Sequence, residues 1–248
     1  MSSSIDPKQK TILALRSGNR CALCREPLTV DATEYDEAQI LGYIAHIKGE
    51  KLGSARHDPL QPDDERNLCP NLVYTCGRCH PLIDKQESTF TVLDLLQRKS
   101  DHEAWVHAKL EEGTLSVGFV ELEVVAKFIV AQPHNPTLDF TTLPPEAKMS
   151  KNGLSLAVRD ELLIGYGKKP EVEKFIDHMV ILDADFPERL KAGFVEHYYR
   201  LGADGYSGDA LFFALRNFAS MGSIDVRKQA AGLSLLAYLF QKCEVFER

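Results

Sequence analysis

Asn71-Leu72-Val73-Tyr74-Thr75-Cys76-Gly77-Arg78-Cys79-His80-Pro81-Leu82-Ile83-Asp84 decides how this chain is read, because an amide, a cysteine pair and a His/Asp pair fall within fourteen residues. Leu72, Val73 and Tyr74 predict a short strand. Cys76-Gly77-Arg78-Cys79 predicts a metal-gripping turn, and a helix is expected from His80 onward. His80 and Asp84 are four residues apart, so on a helix they share one face and can hold one divalent cation. Asn71 stands immediately before the strand.

Working outward, Cys21-Ala22-Leu23-Cys24 repeats the CxxC spacing, and two such pairs form a tetrahedral thiolate cage for Zn2+. His46 ends the short apolar stretch Tyr43-Ile44-Ala45-His46-Ile47 and is the natural base. Together these residues resemble the HNH endonucleases of the ββα-metal class, in the branch with a structural zinc. The resemblance covers residues 10 to 110. It implies His46 as general base, Asn71 as the orienting amide, and metal ligation by His80, with Asp84 as the second candidate ligand and Cys21, Cys24, Cys76 and Cys79 on the structural zinc.

The chain has 248 residues, and the motifs end before its midpoint, which favours two domains. The expected class is α+β: a small zinc-stabilised ββα-metal domain over 1–112, followed by a mostly α-helical domain over 113–248. No apolar run approaches a membrane span and the start lacks a signal-peptide core, so a cytoplasmic location away from membranes is expected. Two CxxC pairs in a reducing compartment favour metal over disulfides, leaving Cys69 and Cys243 as buried thiols. The net charge of -7 argues against indiscriminate coating of nucleic acid. Up to Leu110 there are 14 basic and 16 acidic residues, against 15 and 20 beyond it, so the excess lies in the second half. Lys48, Lys51 and Arg56 follow the base, where a nuclease contacts phosphates; solvated loop residues are the plainer alternative.

A first helix is expected over 7–16, opened by Pro7 and ended by Gly18. Residues 48–67, with their glycines, prolines and acidic run, read as a long surface loop. A helix is expected over 91–99, and Ser100 with Glu103 reads as the capping box of a second one. Glu111-Glu112-Gly113-Thr114 is the candidate boundary. Beyond it, Phe119, Leu122, Val125, Phe128 and Ile129 trace one helical face, residues 132–145 read as a proline-rich linker or ordered loop, and further helices are expected near 172–179, 187–200 and 207–218. A last one, from Ser223 or Asp225, is apolar over much of its circumference and reads as a core or interface helix.

This second half resembles the C-terminal modules of effectors in ABC three-component systems, the group that includes Lamassu-type phage defence. The stretches that carry the likeness are Pro144-Pro145-Glu146-Ala147-Lys148 with Asn152-Gly153-Leu154, and Ala237-Tyr238-Leu239-Phe240-Gln241-Lys242-Cys243-Glu244-Val245-Phe246-Glu247. It implies docking on an SMC/ABC-type ATPase and a small accessory subunit; the apolar last helix offers self-association as a further means of control.

Phosphodiester hydrolysis needs an activated water, a stabilised phosphate and a neutralised leaving oxygen. An imidazole titrates close enough to neutrality for the first task, and Mg2+ or Mn2+ suits the others. Many relatives in the resembled family carry Asp or His just before the base, where this chain has Ala45. The ion then completes its shell with water and phosphate, or Glu50, His57 or Asp58 swings in from the loop. Asp84 reads equally as a ligand or as a surface carboxylate. His102, His107, His134, His178 and His197 belong to no motif and are expected to be structural. The expected activity is DNA cleavage within an anti-phage complex. The alternatives are a Septu-like HNH subunit of a two-component system and an inactive zinc-ribbon binding module.

Overall fold

The computed structural model describes residues 5–30, 33–133, 143–242 and 245–246. The chain forms two compact units, Met1–His107 and Ala108–Arg248. Cys243 and His134, both given structural roles from the sequence, lie outside the described residues, as does most of the proline-rich stretch 132–145.

The first unit opens with α1 (Pro7–Arg16), where the Asp6 side chain accepts from the Lys8 N–H at 2.8 Å and Pro7 fits the first turn. Gly18, at φ +60°, takes the left-handed conformation that ends it. Two small antiparallel pairs follow: β1 (Thr29–Val30) with β2 (Gln39–Ile40), and β3 (Gly42–His46) with β4 (Leu72–Cys76). The short helix α2 (Asp63–Arg66) and a tight turn over Cys69–Asn71 lie between the strands of the second pair. Helix α3 (Cys79–Lys85) then leaves β4 through the second cysteine turn.

Alternation along β4 divides the core of this unit. Leu72 and Tyr74 pack with Leu13, Leu28, Cys21, Cys69 and Cys79, while Val73 packs with Ala45, Ile47, Ile83, Phe90 and Leu95. Ala45 pairs with Val73 and is 3% exposed, so this position is an apolar contact between strand and helix. Gly42 lies under the Tyr74 ring, where a Cβ would come within 2.3 Å.

One expected break is absent. Helix α4 runs unbroken over Val92–Leu115, so Ser100 caps nothing and Glu111, Glu112, Gly113 and Thr114 are helical. The physical reason lies in the side chains: Arg98 pairs with Asp94 at 2.7 Å, Lys99 with Glu103 at 2.8 Å and Gln97 with Asp101 at 2.7 Å, all one turn apart. The pairs Gln97–Asp101 and Lys99–Glu103 bridge position 100, and no proline or glycine interrupts residues 91–112.

The second unit contains α5 (Phe119–Val130), α6 (Pro145–Lys151), α7 (Leu156–Tyr166), α8 (Lys169–Leu182), α9 (Phe186–Ala203), α10 (Gly208–Ala219) and α11 (Val226–Lys242). The last is its central element: Gln229 to Ala237, Leu239 and Phe240 are all buried. Helix α7 approaches it closely because Gly165 faces Ala237, where a Cβ would come within 2.6 Å. Two buried cations are tied into this core. The Lys148 Nζ donates to the Phe240 carbonyl at 2.8 Å, and Arg216 pairs with Glu161. The Asn152 amide donates to the Phe246 carbonyl at 2.7 Å. The two stretches that carry the second resemblance are thus bonded to one another across more than ninety positions. Among the described residues no helix is long and apolar enough to cross a membrane.

Candidate functional site

The four cysteines of the two CxxC turns converge, and their sulfurs lie within 4.8 Å of one another. Four thiolates around a tetrahedral zinc, at bonds of about 2.3 Å, stand roughly 3.8 Å apart. The Cys24 and Cys76 sulfurs are 3.7 Å apart, so this donor set fits zinc in both chemistry and spacing. Local backbone geometry prepares it. The first turn is closed by Cys21 N–H to Glu26 O at 2.9 Å and Arg25 N–H to Cys21 O at 2.8 Å, and Ala22 N–H bonds Tyr74 O at 2.9 Å, binding the knuckle to β4.

Burial pushes the Cys21 and Cys79 thiols above their ordinary values. At Cys76 burial acts in the same direction, but the backbone N–H groups of Cys79 and Arg78 outweigh it and bring that thiol down to about 7. The exposed Arg78 guanidinium lies close enough to Cys24 and Cys79 to have its pKa raised by them, placing positive charge beside the cage.

On the same strand pair and helix, an open cleft of about 220 Å³ is lined by Ala45, His46, Gly49, Glu50, Lys51, Ser54, His80 and Asp84 among others. The structure therefore brings His46, His80 and Asp84 to one place. The His80 ring leans on Tyr43, with ring centres 5.6 Å apart. Asn71 ends the tight turn before β4 and is 7% exposed. Its carboxamide accepts from Lys48 N–H at 2.9 Å and donates to Lys48 O at 3.0 Å and Arg66 O at 2.9 Å. It clamps the backbone two residues beyond His46 rather than touching the ring. The ring is held instead by Asn67, whose Oδ1 lies 2.8 Å from His46 Nε2.

The loop over 48–67 is cross-linked by two of its own arginines, which its composition does not suggest. The Arg56 side chain is only 5% exposed. It donates to Ile47 O at 2.8 Å, Ile83 O at 2.6 Å, His46 O at 3.3 Å and Asp84 Oδ1 at 2.8 Å. Expected at a phosphate, Arg56 is instead a buried pin joining loop, strand end and helix, since its donors are occupied by carbonyls. Arg66 likewise bonds the carbonyls of Gly49, Asp58 and Gln61 and the Asp63 carboxylate.

Asp84 pairs with Arg56 yet remains half exposed to the cleft. Lys48 pairs with Asp58 at 2.8 Å, which holds that carboxyl below its usual range, and Lys51 projects from the exposed rim. Of the three loop residues considered for the metal, Glu50 lines the cleft, whereas His57 bonds Gly49 O at 3.0 Å and Asp58 is engaged by Lys48 and the Leu60 N–H. Among the described residues, only the four cysteines bring three or more metal-type side chains within bonding range of one ion.

Asn67, Arg56 and Arg66 support the walls of the cleft, and no motif in the sequence signals these contacts. Their partners are mostly backbone carbonyls, which leave no pattern in a sequence. Cys69 is buried as expected, and His102 is a buried ring bonded to Ser17 O at 3.0 Å and stacked on Trp105. Searched against models of known protein families, the chain matches none, and no curated protein matches it either.

Proposed function

We propose that this chain is a metal-dependent HNH-type endonuclease that hydrolyses DNA phosphodiester bonds. One observation carries the reading: His46, His80 and Asp84 share an open cleft built on the same strand pair and helix as the four-cysteine cage. His46 takes the proton from the attacking water, and Asn71 fixes the chain that follows it. A Mg2+ or Mn2+ ion on His80, with Asp84 shared with Arg56, would neutralise charge on the scissile phosphate and the leaving oxygen. Lys51 at the rim would meet the flanking backbone, and Glu50, which lines the cleft, would stand in for the ligand that Ala45 lacks.

The helical unit is read as the control element of an anti-phage complex, docking on an SMC/ABC-type ATPase and a small accessory subunit or on further copies of this chain. Exposed Leu156, Ile181 and Leu182, each at least 70% accessible, are side chains that such a contact would cover.

The test is plasmid cleavage by the full chain with Mg2+ or Mn2+, alone and with the ATPase, beside His46→Ala. Loss of a general base lowers the rate by about a hundredfold or more. Equal cutting by the variant removes His46 from the mechanism. A second reading, a zinc-ribbon module that binds nucleic acid or protein without cutting, is favoured by the absence of a second three-ligand cluster among the described residues. One zinc per chain with no cleavage under any divalent ion, with or without the ATPase, selects it.

A further inference from the structure

We infer that Asn67 is the positioning residue for the base: it holds His46 in the tautomer protonated on Nε2, which makes Nδ1 the atom that takes the proton from water. This rests on the nuclease reading for its chemical purpose, but not for its geometry. The Asn67 Oδ1 stands 2.8 Å from His46 Nε2. An amide oxygen can only accept, so the facing nitrogen donates. A neutral imidazole carries one N–H, and the lone pair is then on Nδ1.

The position of Asn67 is itself determined. It follows Arg66, whose guanidinium is bound to the carbonyls of Gly49, Asp58 and Gln61. The Arg66 carbonyl accepts from the Asn71 amide at 2.9 Å. That same amide clamps both backbone groups of Lys48, two residues beyond the base. Asn71 therefore fixes the chain after His46 and the chain before Asn67, and it reaches the ring through Asn67.

The choice of an amide has a chemical reason. A carboxylate here would favour the charged imidazolium and remove the free base at neutral pH, whereas an amide selects the tautomer without adding charge. The charged and titratable groups around this ring are Glu50, Lys51, His80 and Asp84 on the cleft walls, with Arg56 on the His46 carbonyl. Any pH profile must be read against them.

The experiment uses the full, zinc-loaded chain labelled with 15N at histidine, in which two-bond nitrogen–proton correlations distinguish the two tautomers. Wild-type His46 is expected as the Nε2–H form. Asn67→Leu should mix the tautomers and slow cleavage by roughly ten- to a hundredfold, a part of what a general base contributes, with little change in KM for plasmid. Asn67→Asp, which keeps an acceptor, should retain the tautomer and move the acid limb of the rate profile to higher pH. An Nδ1–H form in the wild type, or a tautomer unchanged in Asn67→Leu, overturns the assignment. If Asn67→Leu does not fold, the wild-type tautomer and the Asn67→Asp profile decide. The expected tautomers in a chain that never cuts DNA would uphold Asn67 and end the nuclease reading. Cutting that depends on His46 while the tautomer ignores Asn67 would do the reverse.

Discussion

The cysteine unit buries its apolar side chains in two clusters of seven residues, one on each side of a two-stranded sheet, whereas the helical unit packs around α11, of which eleven residues are buried. Their charges follow the same division. In the first unit buried arginines hold a loop together from beneath; in the second, Lys148 and the Arg216–Glu161 pair sit inside the helical core. A unit with so little apolar core would gain most from a metal at its four-cysteine cage and from loop pins, while one with a larger core relies on them less.

Chelation is the strongest way to break that comparison. Metal binding to four thiolates contributes about 10–16 kcal/mol to folding in small zinc domains. A strong chelator, or Cys79→Ser, should therefore unfold the cysteine unit and leave the helical unit's circular dichroism and melting transition in place. Acid should act on the same unit, since protons compete for the thiolates most effectively at Cys21 and Cys79, which burial already favours in the protonated state. Zinc content measured against pH follows this.

The next effect belongs to the other unit. Glu161→Ala strands Arg216 as a buried charge and should cost about 3–5 kcal/mol, read by calorimetry in the helical transition alone. Replacing both partners with Leu and Met should recover most of it.

Arg56→Ala should destabilise the cysteine unit by about 2–3 kcal/mol, because carbonyls of two segments and Asp84 lose a charged donor together. It should also release the loop carrying Glu50 and Lys51 and lower cleavage severalfold. Arg56→Lys should not rescue it, as an ammonium cannot span those acceptors.

The smallest effect sharpens the contrast by pH. His197 stacks on Phe218, and burial first, then Arg200, lowers its pKa to about 4 from the usual imidazole value of 6.5. The unfolded chain takes up this proton first, so stability is present above about 6.5 and is lost as pH falls toward 4. His197→Phe should flatten that part of the helical unit's melting profile.

The legible parts of this molecule are those whose signal is local. CxxC spacing gave the cage, the four-residue interval placed His80 and Asp84 on one helix face, and Pro7 with Gly18 bounded α1. The uninterrupted α4 was not legible because a capping signature at Ser100 operates only where the preceding chain is already non-helical. Arg56, Arg66 and Asn67 were hidden for a different reason. An arginine beneath a loop has the same sequence as one in solvent, and only the closed chain shows which carbonyls surround it. Asp84 carried both readings in the sequence and keeps both in the fold, bound to Arg56 yet open to the cleft.

The grip of Lys148 and Asn152 on Phe240 and Phe246 has a consequence for synthesis. Every residue of the cysteine unit precedes position 108, so that unit can close and bring its four cysteines together while translation continues. The helical unit cannot: α6 waits for partners made more than ninety residues later, with a lysine that has no burial site until they arrive. On the proposed reading of a nuclease restrained by its helical unit, each newly made molecule would pass through an interval in which the first unit is folded and its restraint is not.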